Sequence, residues 1–191
     1  GFDATRLRPV PTARDARELA PDLVGVVEVA SLSPGSRAPG RPSREGGRAQ
    51  LAWIDAACDA VARGDADALV TGPASKEAIA SSGAPGSLGF LGHTEHLGAR
   101  LSAAETVMAF VSGPLIVTLA TTHLPLARVP SVLTPEDVAR ASYWTARLCD
   151  ALAVAAEQAV AVLALNPHAG EHGLLGDEEN TIVTPGITLG R

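Results

Sequence analysis

The chain has 191 residues, 46% of them apolar, and a formal net charge of −6. That is enough apolar material for one substantial α/β domain or parts of two small ones, and it excludes a disordered chain. The acidic balance argues against a nucleic-acid partner, because phosphate backbones demand clustered Lys and Arg. No apolar run reaches the roughly 18 to 20 residues that a membrane-spanning helix needs. No secretory leader is visible either, so no membrane partner is expected. Cys58 and Cys149 fall in Ala-rich helical patterns, where a thiol packs as a small hydrophobe. That usage favours a reducing cytoplasm over a disulfide framework.

Residues 1–22 are rich in Pro, Arg and Asp, with one short helical candidate at 12–19. Residues 23–29 (LVGVVEV) read as a buried strand. Residues 31–47 carry Pro34, Gly35, Pro39, Gly40 and Pro42, the signature of a long loop. Loops of that length serve as lids, interface arms or mobile segments. The Arg37, Arg41, Arg44 and Arg48 cluster reads as a solvated loop in preference to an anion site.

From Arg48 onward, Leu51, Ile54, Ala57, Cys58 and Val61 recur at helical spacing up to Gly64. Residues 68–71 (ALVT) read as a short strand, followed by a Gly-Pro turn and a helix over 75–81. This rhythm predicts a parallel βαβ sheet. A further helix is expected over 94–101, and residues 106–111 and 115–121 form a hairpin around Ser112-Gly113-Pro114. Thr134, Pro135 and Asp137 have the spacing of an N-cap, a first helical proline and a capping-box acid, starting a helix to about residue 156. Residues 160–165 read as another buried strand ending at Asn166-Pro167.

Three polar motifs fall where strands end or helices begin, the places at which open α/β sheets bind ligands. In residues 70–76, Gly72 lets a ligand approach, and the only lysine in the chain, Lys76, stands at a helix start. That charge suits a phosphate or carboxylate, although a plain strand–turn–helix connection explains the segment equally well. In Gly92-His93-Thr94-Glu95, His93 can donate to an anionic or carbonyl oxygen, and Thr94 can bind substrate or merely cap the helix. His96 reads as an ordinary surface residue. Third, His123 and His168 each follow a strand in a Thr-, Pro- or Gly-rich turn, so the two can meet at a sheet edge on a divalent metal. Two imidazoles hold a metal weakly, and His172 lies in a Gly-rich segment that marks it as no obvious third ligand.

Together, TGPxxK (71–76), GHTE (92–95), ATTHLPL (120–126) and LNPHAGE (165–171) followed by Gly176-Asp177-Glu178-Glu179 resemble the 4-hydroxythreonine-4-phosphate dehydrogenase family of pyridoxal phosphate biosynthesis. The resemblance covers residues 40–191. It implies a two-domain α/β fold like that of isopropylmalate and isocitrate dehydrogenases, here only partly represented. It also implies a homodimer with the active site at its interface. The implied reaction is NAD- or NADP-linked oxidation of 4-phosphooxy-threonine, a small phosphorylated hydroxy acid, followed by loss of carbon dioxide. His93 and Thr94 would bind substrate, and His123 and His168 would ligate a divalent metal, whether zinc, magnesium or cobalt. Lys76 would take an anion-binding or proton-transfer role in catalysis.

The family's GDPxGIGPE opening and its later YHDQG-like motif, which supplies a third metal ligand, do not occur in this sequence. The chain is therefore expected to be the central part of the enzyme, inactive alone, with its internal domain boundary not placed and its cofactor residues unknown. Two other readings stand beside this one. A paralogue would act on phosphorylated threonate or erythronate or on a dihydrodiol, and a non-catalytic module would serve dimerisation or ligand binding.

Overall fold

The computed structural model describes residues 3–113, 115–153 and 159–190. Its chain divides into two units, Gly1–Thr106 and Val107–Arg191. In the first unit, β1 (Leu7–Pro9) pairs in parallel with β2 (Val24–Val26), Leu7 opposite Val24. The strand read at 23–29 is thus shorter, and it is not buried: Val24 and Val26 are each 41% exposed. Its partner β1 went unpredicted, because Leu-Arg-Pro shows no alternation and Pro9 cannot donate to a ladder. The helix expected at 12–19 is a single 3-10 turn, Asp15–Glu18.

The helix expected from Arg48 begins earlier. In α1 (Arg44–Ala62) the Ser43 hydroxyl accepts the Gly46 N–H at 2.9 Å. Gly46 and Gly47 are poor helix formers and hide this first turn from any propensity argument. The reason for Gly47 is packing, since a Cβ there would lie 1.9 Å from the carbonyl oxygen of Ala78 in α2 (Lys76–Ser81). Leu51 and Ile54 of α1 meet Ile79 of α2 and Phe90 in one buried cluster. The long loop is tied down: Ser33 N–H donates to Glu45 at 2.6 Å, and the Ser33 and Ser36 hydroxyls donate to the same carboxylate at 2.7 and 2.6 Å. The Ser36 hydroxyl first, then Ser33, holds the Glu45 carboxyl down at about 2.

The second unit opens with the expected hairpin, β3 (Ala109–Ser112) antiparallel to β4 (Leu115–Thr118), Ser112 opposite Leu115. After the single turn α4 (Val129–Val132), helix α5 (Pro135–Ala151) starts as its cap signals demand. Asp137 N–H donates to the Thr134 hydroxyl at 3.2 Å, and Thr134 N–H donates to the Asp137 carboxylate at 3.0 Å. Thr134→Ala removes one arm of this box and is expected to cost about 1 kcal/mol, read as a lower thermal midpoint by circular dichroism. The helix ends at Ala151 rather than near residue 156, and residues 154–158 lie outside the described residues. Thr118 of β4 and Thr145 of α5 share a hydrogen bond of 2.5 Å. Against α5 packs α6 (Thr184–Leu189), where a Cβ on Gly186 would stand 2.6 Å from Val138 Cβ.

Helices and strands are mixed in an α/β arrangement, but not as the predicted continuous parallel sheet. Residues 68–71 and 160–165 join no ladder among the described residues, and Val70 and Leu163 are 95% and 84% exposed. A strand exists only through a hydrogen-bonded neighbour, and these apolar runs have none here. Cys58 is buried, Cys149 half-buried, and both are free thiols, as the sequence suggests. Among the described residues no helix is long and apolar enough to cross a membrane.

Candidate active-site residues

The first two motifs come together in the N-terminal unit. Gln50 of α1 accepts the Ser75 N–H through its side-chain oxygen at 2.8 Å, which fixes the turn leading into α2. The Ser75 hydroxyl then caps that helix by accepting the Ala78 N–H at 3.2 Å, so Lys76 becomes its first residue and is exposed. Helix α3 (His93–Arg100) follows Gly92. A Cβ on Gly92 would lie 3.6 Å from Lys76 Nζ and 2.8 Å from Glu95 Oε2. The lone lysine therefore reaches the GHTE turn, and glycine leaves the space for it. Gly92 occupies the cap position and Thr94 lies inside the first turn, so the reading of Thr94 as a plain N-cap fails. His93 and Thr94 are half-buried, and the His93 ring stands edge-on to Phe90 at 5.8 Å.

His96 is not an ordinary surface residue. Its side chain is 17% exposed, with Nε2 2.6 Å from Asp55 Oδ1 and its ring 5.3 Å from Phe90. One turn on, Arg100 donates to both oxygens of Asp59 at 2.8 and 2.7 Å and lies 3.4 Å from Asp55. The Arg100 hydrogen bonds hold the Asp59 carboxyl below its ordinary value, and the same bonds raise Arg100. This network fastens α3 to α1 and so fixes where His93 and Thr94 project. The sequence did contain a signal: Asp55 and Asp59 are four apart, as are His96 and Arg100, so each pair shares a helix face.

The third motif lies in the C-terminal unit. His123 follows β4, and His168 follows the apolar run 160–165; both are exposed. Both also have left-handed backbones, with φ of 56° and 52°. His168 opens a run of such residues, Ala169, Gly170, Glu171 and His172, so the segment around His172 is a defined left-handed turn. Left-handed φ costs a residue bearing a Cβ roughly 1–2 kcal/mol. Strain of this kind gathers at functional sites. The turn is braced by Glu179, which is buried and accepts the Leu165 and Asn166 N–H groups at 2.8 and 2.6 Å. The Asn166 backbone donor, followed by its side chain, holds the Glu179 carboxyl below its ordinary value. Among the described residues no group of three or more His, Cys, Asp or Glu is placed to hold a metal ion. As donors, the imidazoles of His123 and His168 suit zinc and neighbouring divalent metals, but a full set needs further ligands.

Residues 3–191 match the family model described as pyridoxal phosphate biosynthetic protein PdxA. The 4-hydroxythreonine-4-phosphate dehydrogenase of Caulobacter vibrioides is 36% identical over 189 residues, covering 95% of this chain and 55% of its own length. That of Acidithiobacillus ferrooxidans is 40% identical over 149 residues, covering 78% and 44%. The crystal structure of 4-hydroxythreonine-4-phosphate dehydrogenase from Klebsiella pneumoniae superposes with a TM-score of 0.81 at 28% identity, over 96% of this chain and 55% of that one. A terephthalate 1,2-cis-dihydrodiol dehydrogenase from Burkholderia xenovorans superposes with a TM-score of 0.60 at 29% identity, over 95% and 54%. The chain spans about half the length of the curated relatives it matches. Across nearly its whole length, this chain belongs to the PdxA family of pyridoxal phosphate biosynthetic proteins.

Proposed function

We propose that the chain is the central part of a cytoplasmic, homodimeric, metal-dependent dehydrogenase with an isopropylmalate dehydrogenase-like two-domain fold. Its reaction is NAD- or NADP-linked oxidation and decarboxylation of 4-hydroxythreonine 4-phosphate. The observation that carries this reading is the approach of Lys76 Nζ to the Gly92–Glu95 turn, which gathers a cation, an imidazole and a hydroxyl at the start of α3. The Lys76 ammonium pairs with an anionic group of the substrate. His93 and Thr94 donate to its oxygens, helped by the positive end of the α3 dipole. His123 and His168 supply two nitrogens to a divalent metal, zinc, magnesium or cobalt. When bound, such a metal lowers the pKa of the substrate hydroxyl and stabilises the charge that develops on decarboxylation.

The test is reduction of NAD or NADP by the complete polypeptide with 4-hydroxythreonine 4-phosphate. Lys76→Met is expected to raise KM at least tenfold, as losing a charged hydrogen bond of about 1.5–3 kcal/mol implies. An unchanged KM removes Lys76 from the site. A second reading, a dihydrodiol dehydrogenase, is favoured by the likeness to the Burkholderia xenovorans enzyme. Turnover of an unphosphorylated cis-diol alone would establish it, and turnover of phosphorylated threonate or erythronate alone would mark another paralogue. A non-catalytic module would bind ligand or metal without reducing either cofactor.

A further inference from the structure

We infer that Glu179 is a positioning residue for His168, fixing the left-handed turn from which that imidazole projects; this rests on the metal-ligand role proposed for His168. Glu179 is 7% exposed, and its carboxylate collects donors from 13 and 14 residues away. Its Oε1 accepts the Leu165 N–H at 2.8 Å and the Asn166 N–H at 2.6 Å, while Oε2 accepts the Asn166 side-chain amide at 2.9 Å. Glu178 takes a further bond from that same amide at 2.7 Å.

Two glycines close the turn onto this clamp. A Cβ on Gly170 would sit 2.6 Å from the Gly176 carbonyl oxygen and 2.9 Å from Glu179 Oε2, and one on Gly176 would sit 2.5 Å from Asn166 Nδ2. The last residue held directly, Asn166, precedes His168 by two. Every donor faces an acceptor-only group, which an ionised carboxylate alone supplies at both oxygens. Glu179→Gln keeps the shape but turns an amide toward either the backbone N–H pair or Asn166 Nδ2, donor against donor. Partners behind metal ligands typically matter by about 10- to 100-fold in metal affinity.

The experiment is Co(II) titration of the complete polypeptide, followed by visible absorption, with hydrogen exchange over residues 165–172. The unaltered protein is expected to bind Co(II), and His168→Ala to lose that binding. Glu179→Gln should weaken it roughly tenfold or more, with a changed spectrum and faster exchange at residues 165 and 166. Unchanged affinity and spectrum in Glu179→Gln, even with a lower melting temperature, overturn the positioning role and leave the metal site standing. Co(II) binding that His168→Ala does not alter, or no binding to the unaltered protein, overturns the ligand assignment and this inference with it. If Glu179→Gln does not fold, Glu179→Asp is read the same way, since it keeps the charge but draws the carboxylate back from the Leu165 and Asn166 N–H groups.

Discussion

Gly47→Ala is expected to destabilise the N-terminal unit by about 3 kcal/mol, the upper range for forcing a methyl into a packed core. At an open helical position the same change stabilises, because glycine costs a helix roughly 1 kcal/mol relative to alanine. Here the sign reverses. The new Cβ would lie 1.9 Å from the Ala78 oxygen, 2.4 Å from its carbon and 2.9 Å from Ile79 N. These are backbone atoms, so no side-chain rotation relieves the clash, and the two helices must part. Parting them opens the cluster around Ile79, which is fully buried. The thermal midpoint should fall by about 10 °C, measured by calorimetry. Because Lys76 is the first residue of the displaced helix, the anion binding proposed for it should weaken along with stability. An alanine variant as stable as the parent means that α1 and α2 do not approach this closely.

What the sequence made legible was local chemistry, and what it hid was partnership. The cap at Thr134 follows from three residues whose side chains bond to their own backbone, so the capping box was readable without any tertiary knowledge. The start of α1 was not, because Gly46 and Gly47 look like loop until α2 is laid across them. Residues 68–71 and 160–165 have the composition of strands, yet composition does not supply the neighbouring chain that makes one. β1 shows the reverse case, a ladder strand with no pattern of its own.

The same division holds at the site. Lys76, His93 and Thr94 stand out because each falls in the first turn of a helix, but that Lys76 reaches Gly92 is a fact of packing. Glu179 was visible only as one acid in a motif. Its partners lie more than a dozen residues away, and no local rule connects them. The left-handed backbones of His123 and His168 were likewise hidden, since histidine does not announce such a conformation as glycine does.

Those backbones shape the other large effect expected. On the metal-ligand role proposed for them, replacing His123 or His168 by alanine should lower turnover by the complete polypeptide roughly a thousandfold, the equivalent of about 4 kcal/mol of charge stabilisation. The double variant should be little worse than either single, because the proposed assignment has both residues serving the same ion, whose loss is counted once. Alanine alone leaves an ambiguity, as it also changes the strain of a left-handed residue. Asparagine tolerates that conformation while lacking an imidazole, so His168→Asn preserves the turn and removes the preferred donor. Activity retained in His168→Asn but lost in His168→Ala assigns the histidine a backbone role. Activity lost in both, with the fold intact by circular dichroism, leaves the nitrogen donor as the function that selects histidine for so costly a conformation.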